Sequence, residues 1–258
     1  MRLGAQLYTV REFTQTAEAL DKTLQKVAAI GYRFVQCSAL GPIPAAEVRA
    51  LLDKHGLTCV ITHDNPERIL TDTQGVIADH RTLGCPAIGM GLMPERYRFT
   101  REGVERFAAD YAPAIREIEA AGMSFHYHNH DLEFTRVGRD ATLLDVLLER
   151  LPTCGLIFCA FWAQVGGANP IDVIRRYGAR IQAIHLKDMA FRGPAPIGQG
   201  RVMTPVMEGN MNYAAIVAAC AENGIDDLLV EQDTCDGDPF DCLAVSYRNL
   251  TTLPELRA

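Results

Sequence analysis

The sequence of 258 residues predicts a single (β/α)8 barrel, and its repeating pattern of apolar residues carries this prediction. Short apolar runs rich in β-branched residues alternate with longer segments whose apolar residues recur at helical spacing. Eight such runs occur, and each begins a unit close to the roughly 30 residues of a βα repeat. Without any strand-only or helix-only block, eight units favour a closed barrel over an open doubly wound sheet.

The strands and several helices are predicted from local signals. The predicted strands cover residues 3–10, 34–38, 57–62, 87–90, 124–128, 156–160, 181–187 and 227–231. Asn169 and Asp238 each precede a proline, which pairs a capping side chain with proline in the first turn and predicts helices over 171–177 and 240–250. Residues 189–210 follow the seventh strand and are predicted to form a long loop. No linker interrupts the chain, so residues 1–258 are interpreted as one domain.

Charge and cysteine content exclude several classes of protein. Lys and Arg number 25 against 32 Asp and Glu, for a net charge of −7, which disfavours binding to a nucleic-acid backbone. The apolar stretches are short, and the N-terminus lacks a signal-peptide pattern, so we expect neither secretion nor a membrane span. The eight cysteines are scattered without a C-x-x-C pair, as expected for reduced thiols in a cytoplasmic protein.

Histidines concentrate where the fifth strand ends. Active sites of such barrels lie at the carboxyl ends of the strands. Three of the seven histidines, His126, His128 and His130, fall within five residues there and share one face if the strand persists. With Glu133 they supply the groups that a divalent metal or a proton-transfer site needs. The alternative is a solvated strand end whose imidazoles bond to the backbone.

The seventh and eighth strands end in charged residues. His185 and Lys187 should point the same way, and a lysine in a barrel mouth is costly unless it meets an anion. That anion is either a substrate group or a neighbouring carboxylate such as Asp188. Glu231 ends an otherwise apolar eighth strand and forms a reasonable metal-ligand pair with His185.

Weaker signals come from the remaining strand ends. His63 ends the third strand, and Tyr8 and Gln36 lie near the ends of the first and second. Trp162, the only tryptophan, follows the sixth strand as either a substrate-stacking wall or a core residue. His80 falls in a helical segment and is expected at the surface.

Together these positions resemble the sugar phosphate isomerase/epimerase family, the xylose isomerase-like TIM barrels. The closest likeness is to the branch with a Tyr-His-Asn-His-Asp-x-Glu-Phe motif, which reads YHNHDLEF at 127–134. Supporting matches are QLYTVR at 6–11, GY at 31–32, HLKD at 185–188 and VEQD at 230–233. The resemblance extends over essentially the whole chain, although only the fifth-strand motif is fairly specific.

This resemblance implies a divalent metal, commonly Mn²⁺, Zn²⁺ or Mg²⁺, held by two Glu, one Asp and one His. Carried over, Glu133, His185 and Glu231 fall on ligand positions. The family's usual Asp is replaced, because the sixth strand reads FCAFW at 158–162 and places Cys159 there. A Cys159 thiolate would still bind a metal and favour Zn²⁺, whereas an inert thiol would leave a weak or empty site.

The family isomerises or epimerises sugars, dehydrates cyclic polyol ketones, or cleaves oxidised glycosides. Its common step is removal of a proton from carbon next to a carbonyl or hydroxyl group. The expected catalytic residues are His128, His130 and Lys187. The expected substrate-binding residues are Tyr8, His63 and Trp162. We expect a small sugar or polyol substrate, and phosphate recognition is not supported because no glycine-rich phosphate loop occurs.

Two other functions remain open. A barrel that has lost its metal and binds sugar without catalysis is favoured by Cys159. A DNA-repair endonuclease is suggested because the endonuclease IV group shares the barrel, but the net charge of −7 argues against a DNA-binding face. Pairing of exposed helices into a homo-oligomer also stays open.

Overall fold

Parallel strands and the helices between them form the barrel that the sequence predicts. The computed structural model describes residues 1–197 and 199–256. The strands are β1 (Arg2–Gln6), β2 (Phe34–Ser38), β3 (Thr58–His63), β4 (Ala87–Met90), β5 (Ser124–His128), β6 (Gly155–Cys159), β7 (Ile181–Leu186), β8 (Asp188–Phe191), β9 (Arg201–Thr204) and β10 (Asp227–Val230). The helices are α1 (Ala17–Ile30), α2 (Ala45–Lys54), α3 (Pro66–Thr71), α4 (Thr73–Leu83), α5 (Arg101–Ala120), α6 (Leu143–Arg150), α7 (Ala160–Val165), α8 (Pro170–Tyr177), α9 (Tyr213–Glu222) and α10 (Pro239–Leu250).

The barrel is nearly closed, and its seam lies between β3 and β4. The sheet runs in the order β3-β2-β1-β10-β7-β6-β5-β4, with every neighbouring pair parallel. Across the seam, Asp64 and Met90 form an isolated bridge, and the Asp64 N–H donates to the Gly89 carbonyl at 2.8 Å. A Cβ at Gly89 would lie 2.0 Å from the Thr62 carbonyl oxygen. Closure therefore requires glycine at this position.

The inside of the barrel changes from apolar to polar along the strands. A buried apolar cluster fills its middle and comprises Ile61, Ala87, Ile157, Ala183 and Leu229. Residues two apart on a strand share a face, so the next inward positions on β6, β7 and just beyond β10 are Cys159, His185 and Glu231. All three are buried. Because side chains alternate along each strand, these residues form a layer of polar side chains inside the barrel at the carboxyl ends of the strands.

The opposite faces of the strands pack against helices. On β5, Phe125 and Tyr127 belong to the apolar cluster beneath α5, where the Phe107 ring lies 5.9 Å from that of Tyr127. His126 alternates with them, and its Nε2 lies 2.7 Å from Ser124 Oγ. This alternation directs aromatic rings outward and imidazoles inward.

Capping signals in the sequence correctly locate two helices. The Asn169 carboxamide accepts the Ile171 N–H, and the Asp238 carboxylate accepts the Phe240 N–H. Each cap has proline in the first turn, so α8 and α10 begin one residue earlier than predicted. Both predicted helices are confirmed.

Three local predictions are wrong. The first strand ends at Gln6, whose side chain accepts the Tyr8 N–H and starts a 3-10 helix over Leu7–Phe13. His80 is buried, and its Nε2 lies 2.9 Å from Thr62 Oγ1. The predicted loop over 189–210 instead contains β8 and β9, paired as an antiparallel hairpin.

The root and the tip of this hairpin differ. At the root, the Asp188 carboxylate accepts the backbone N–H groups of Met189, Met207, Gly209 and Met211. Towards the tip, Phe191 and Ile197 are exposed. The root is therefore fixed to the barrel, whereas these two apolar side chains towards the tip face solvent.

In the part of the chain that the structure describes, no helix is long and apolar enough to cross a membrane.

Replacing Gly89 with alanine should weaken the seam. The added Cβ would force β3 and β4 apart, and overpacking of this kind costs about 1–3 kcal/mol or more. Urea unfolding should show this loss for Gly89→Ala. Gly237→Ala is the matched control, because a Cβ there meets no atom within 4 Å. Equal midpoints for the two variants would contradict the seam's requirement for glycine.

Candidate active site

A cavity opens at the carboxyl ends of the strands, where the sequence predicts the site. Its volume is about 490 Å³. Predicted site residues in its lining are Tyr8, His63, His128, His130, Trp162, Lys187 and Glu231. The structure thus brings every predicted catalytic and substrate-binding residue to one cavity. We call it the catalytic cavity.

Three buried side chains beneath this cavity have the arrangement of metal ligands. The side-chain ligand atoms of His128, Cys159 and His185 lie within 4.8 Å of one another, and we call these residues the floor cluster. The rings of His128 and His185 are 4.6 Å apart between centroids. Each residue lies at or near the carboxyl end of a different strand, namely β5, β6 or β7. The barrel geometry therefore brings the three side chains together.

Hydrogen bonds orient both imidazoles of the floor cluster. His128 Nδ1 lies 3.1 Å from the Gly91 carbonyl oxygen, and His185 Nε2 lies 2.6 Å from Gln36 Oε1. Oxygen acceptors require N–H at these two atoms, so a metal ion would bind through His128 Nε2 and His185 Nδ1. His128 Nε2 is buried without a hydrogen-bond partner in the described structure, whereas the buried His185 Nδ1 lies 2.8 Å from the Glu231 carboxylate. Such outer hydrogen bonds are how proteins fix metal-binding histidines.

A buried ion-pair network borders the floor cluster. Lys187 Nζ lies 2.8 Å from Glu231 Oε2 and 2.9 and 3.0 Å from the carboxylate oxygens of Asp233. Burial alone would lower the pKa of Lys187, but Glu231 and Asp233 outweigh it and raise that pKa. Burial raises the pKa of Glu231, and Lys187 reverses this, so the pKa of Glu231 falls well below its usual range. The anion that Lys187 meets is therefore this carboxylate pair and not Asp188.

The charges of the site fit a divalent cation. Beside the imidazoles and the Cys159 thiol, the ion-pair network holds one positive group, Lys187, and two negative groups, Glu231 and Asp233. Burial raises the pKa of Cys159 to about 12, so a bound ion would displace the thiol proton. The thiolate would bring the net charge of these groups to about −2, and a divalent ion would neutralise it.

The residues that could hold such an ion are His128, Cys159, His185 and Glu231. Glu231 joins the floor cluster through Oε2, which lies 2.8 Å from His185 Nδ1. This set offers two nitrogens, one sulfur and one carboxylate, a combination typical of Zn²⁺.

Glu133 makes its hydrogen bonds to residues outside the floor cluster. It is fully buried, and its carboxylate oxygens accept the Tyr127 O–H at 2.6 Å and the His130 N–H at 2.7 Å. Burial raises the pKa of Glu133 to about 7 against these two hydrogen bonds. Of the two YHNHDLEF residues His128 and Glu133, only His128 belongs to the floor cluster. Glu133 instead holds the turn that presents His130.

His130 and Trp162 form one wall of the catalytic cavity. Their rings lie 5.3 Å apart, and the His130 ring lies 4.7 Å from that of His128. Burial, with Lys187 nearby, lowers the pKa of His130 to about 4, so its imidazole is neutral at pH 7. Trp162 lines the cavity and also packs against the main apolar core. Trp162 therefore contacts the core, and its role as a wall against which substrate stacks stays a prediction.

Tyr8 forms another part of the wall. The Arg11 guanidinium lies 4.2 Å from its ring centroid, and Arg11 Nη1 donates to the Tyr8 carbonyl at 2.9 Å. Arg11 also donates to the Asp233 carbonyl at 3.2 Å. Arg11 thereby ties the wall to the ion-pair network.

Sequence reasoning missed three contributors to the site. Gln36 was placed near a strand end, but its bond to His185 joins residues 149 apart in the chain. Asp233 follows Glu231 by two positions, so strand periodicity could have identified it. Gly91 acts through its backbone carbonyl, for which no side-chain signal exists.

Comparison with known proteins defines the family. A family model described as xylose isomerase-like TIM barrel matches residues 24–238, and the chain belongs to this family. Among curated proteins nothing matches.

Solved structures share the fold over nearly the whole chain. A sugar phosphate isomerase/epimerase from Parabacteroides distasonis is 23% identical with a TM-score of 0.80, and 99% of each chain is covered. An L-ribulose 3-epimerase is 19% identical with a TM-score of 0.72, covering 99% of this chain and 94% of the other. The probable 3-DHS dehydratase of Bacillus anthracis is 15% identical with a TM-score of 0.74, covering 97% and 99%.

Metal content should separate the ligands from Glu133. After incubation with Zn²⁺ and dialysis, elemental analysis should find about one ion per chain in the natural protein. His128→Ala and Cys159→Ala should lose most of it, whereas Glu133→Gln should keep it because its carboxylate faces other groups. Loss of zinc in Glu133→Gln with retention in His128→Ala would reverse this assignment.

Glu133 should also make stability depend on pH. Its pKa of about 7 exceeds the usual glutamate value of 4.5, so the folded state holds the proton more tightly. The resulting stabilisation is complete below about pH 4.5 and is lost as pH rises to about 7, a change of about 3 kcal/mol. Urea unfolding with a chelator present should show this fall relative to Glu133→Gln. Parallel pH profiles for the two proteins would rule it out.

Proposed function

We propose that the protein is a metal-dependent isomerase, epimerase or lyase that acts on a sugar, keto-sugar or cyclic polyol by proton transfer next to a carbonyl. The observation that carries this proposal is the floor cluster, whose buried His128 Nε2 has no hydrogen-bond partner in the described structure, lying beneath a cavity that Lys187 and His130 line. Membership of the xylose isomerase-like family supports it.

The metal would occupy the lone pairs of the floor cluster together with Glu231. A divalent ion bound there acts as a Lewis acid on substrate oxygen atoms. Cys159 makes Zn²⁺ the preferred ion, because a thiolate is a soft ligand.

His130 is the proposed proton acceptor. Its ring lines the catalytic cavity, and its Nδ1 is buried without a hydrogen-bond partner in the described structure. The pKa of about 4 leaves the imidazole unprotonated at neutral pH, as a base requires. The Glu133 carboxylate fixes the backbone of this residue from below.

Lys187 is the proposed partner of the substrate oxygen. Glu231 and Asp233 keep its ammonium group charged inside the cavity wall, where a cationic hydrogen-bond donor stabilises developing negative charge. Trp162 lies beside it, with Lys187 Nζ 5.6 Å from the ring centroid. An apolar ring next to charged groups suits the C–H face and hydroxyl edge of a sugar.

Hydrogen exchange tests this assignment for all three reaction types. Incubation of keto-sugars with zinc-loaded protein in D₂O should place deuterium next to the carbonyl, detected by NMR. His130→Ala and Lys187→Met should slow exchange by about 10²–10⁴-fold. His55→Ala is the control, because His55 pairs with Asp21 outside the cavity. Unchanged exchange in both site variants would refute the proposal.

The alternative is a sugar-binding barrel without catalysis. It is favoured by Lys187, whose ammonium group already pairs with the Glu231 carboxylate, and by Cys159, because burial raises the pKa of its thiol to about 12. Cys159→Asp discriminates the two functions. If the natural protein binds no metal, and the variant binds one ion per chain and gains exchange activity, the natural protein is an enzyme that has lost its metal site.

A further inference from the structure

One carboxylate that lines the catalytic cavity has no part in the proposed chemistry. Asp64 directly follows β3 and lines the cavity. Around the barrel, three strands separate β3 from β7 in either direction, so Asp64 lies across the mouth from Lys187, which directly follows β7. A substrate that meets Lys187 at one end would therefore extend towards Asp64 with its other end.

Buried hydrogen bonds fix one oxygen of this carboxylate. Thr62 Oγ1 donates to Asp64 Oδ2 at 2.5 Å, and His80 Nε2 lies 2.9 Å from Thr62 Oγ1 and 3.3 Å from Asp64 Oδ2. His80 Nδ1 donates to the Val76 carbonyl at 2.9 Å, which orients the imidazole on α4. Burial lowers the pKa of His80, but the hydrogen bond and the charge of Asp64 outweigh it and raise that pKa. The carboxylate is therefore held from the side that faces away from the cavity.

The second oxygen of Asp64 is open to a ligand. In the part of the chain that the structure describes, no group donates a hydrogen bond to Oδ1, and 19% of the side chain is exposed. A carboxylate oxygen accepts hydrogen bonds and donates none. Because Oδ2 already fixes the orientation, a hydroxyl group of a ligand would bind Oδ1 without ordering a flexible side chain.

The catalytic cavity offers no free cation to balance an anionic ligand. Among the described residues that line it, Lys187 is the single lysine or arginine, and Glu231 and Asp233 pair with its ammonium group. Burial lowers the pKa values of the three histidines in the lining, so their imidazoles are neutral at pH 7. An anionic group beside Asp64 would therefore meet a like charge without compensation.

We infer that Asp64 is a specificity-determining residue: its Oδ1 accepts a hydrogen bond from a hydroxyl group at the substrate end remote from Lys187, and its charge excludes substrates with a phosphate or carboxylate group at that end. This role rests on the proposed function only in that the ligand is a sugar or polyol. It adds the requirement that the remote end of the substrate be uncharged.

Binding of matched ketoses tests this role without turnover. The probes are fructose, tagatose, ribulose and xylulose, each beside its terminal phosphate ester. Trp162, the only tryptophan, lines the cavity, so its fluorescence reports occupation there. For a sugar that binds the zinc-loaded protein, the free ketose should bind at least about tenfold more tightly than its phosphate ester, a size expected for like charges close together near a protein surface.

Asp64→Asn and Asp79→Asn supply the variant and its control. In Asp64→Asn, Thr62 would still donate to the side-chain oxygen, which turns the amide NH₂ group towards the cavity and replaces an acceptor with a donor. The preference for the free ketose should fall at least about tenfold, because the phosphate ester binds more tightly. Asp79 pairs with Arg68 outside the catalytic cavity, so Asp79→Asn should keep the preference of the natural protein.

The outcomes separate the two proposals. A phosphate ester that binds the natural protein at least as tightly as its free ketose would overturn the role of Asp64, and so would a preference that survives Asp64→Asn. Either result leaves the proposed function standing. If no ketose binds in either form, both proposals fail. Should Asp64→Asn fail to fold, Asp64→Ser also removes the charge and must reduce the same preference.

Discussion

The buried ammonium group of Lys187 constrains the whole carboxyl end of the barrel. A charge without water must be paired, so Glu231 and Asp233 both face it from the end of β10. Glu231 in turn reaches His185 on β7, and His185 reaches Gln36 on β2. One cation thereby fixes the relative positions of three strands, and the site takes its shape from this chain of contacts.

Much of the fold follows from the sequence because barrel strands are buried on both faces. Such strands read as apolar runs, and those at 34–38, 87–90 and 124–128 have the predicted bounds. The end of the first strand could not be predicted in this way. The residues after Gln6 remain apolar, and only the hydrogen bond from the Tyr8 N–H to the Gln6 side chain starts a helix there. The β8–β9 hairpin was missed because its glycines and prolines mimic irregular chain.

The candidate site was predictable where strand periodicity extends to it. Period two places His128 and Lys187 in the lining of the catalytic cavity and His185 in the floor cluster beside His128. Glu133 lies beyond the strand, where a turn rather than a period sets its direction, and its role as a metal ligand stays a prediction. The oxygen atoms that orient the imidazoles come from distant parts of the chain, and such pairings carry no local pattern.

The hairpin after β7 divides mechanically into two parts. Asp188 gathers four backbone N–H groups at its root, directly beside Lys187, whereas Phe191 and Ile197 face solvent near its tip. Changes of length or sequence in the tip should therefore leave the Lys187 ammonium group in place, since loop extensions cost little free energy. Evolution can remodel the rim of the cleft here as an exchangeable module while the chemistry beneath stays constant.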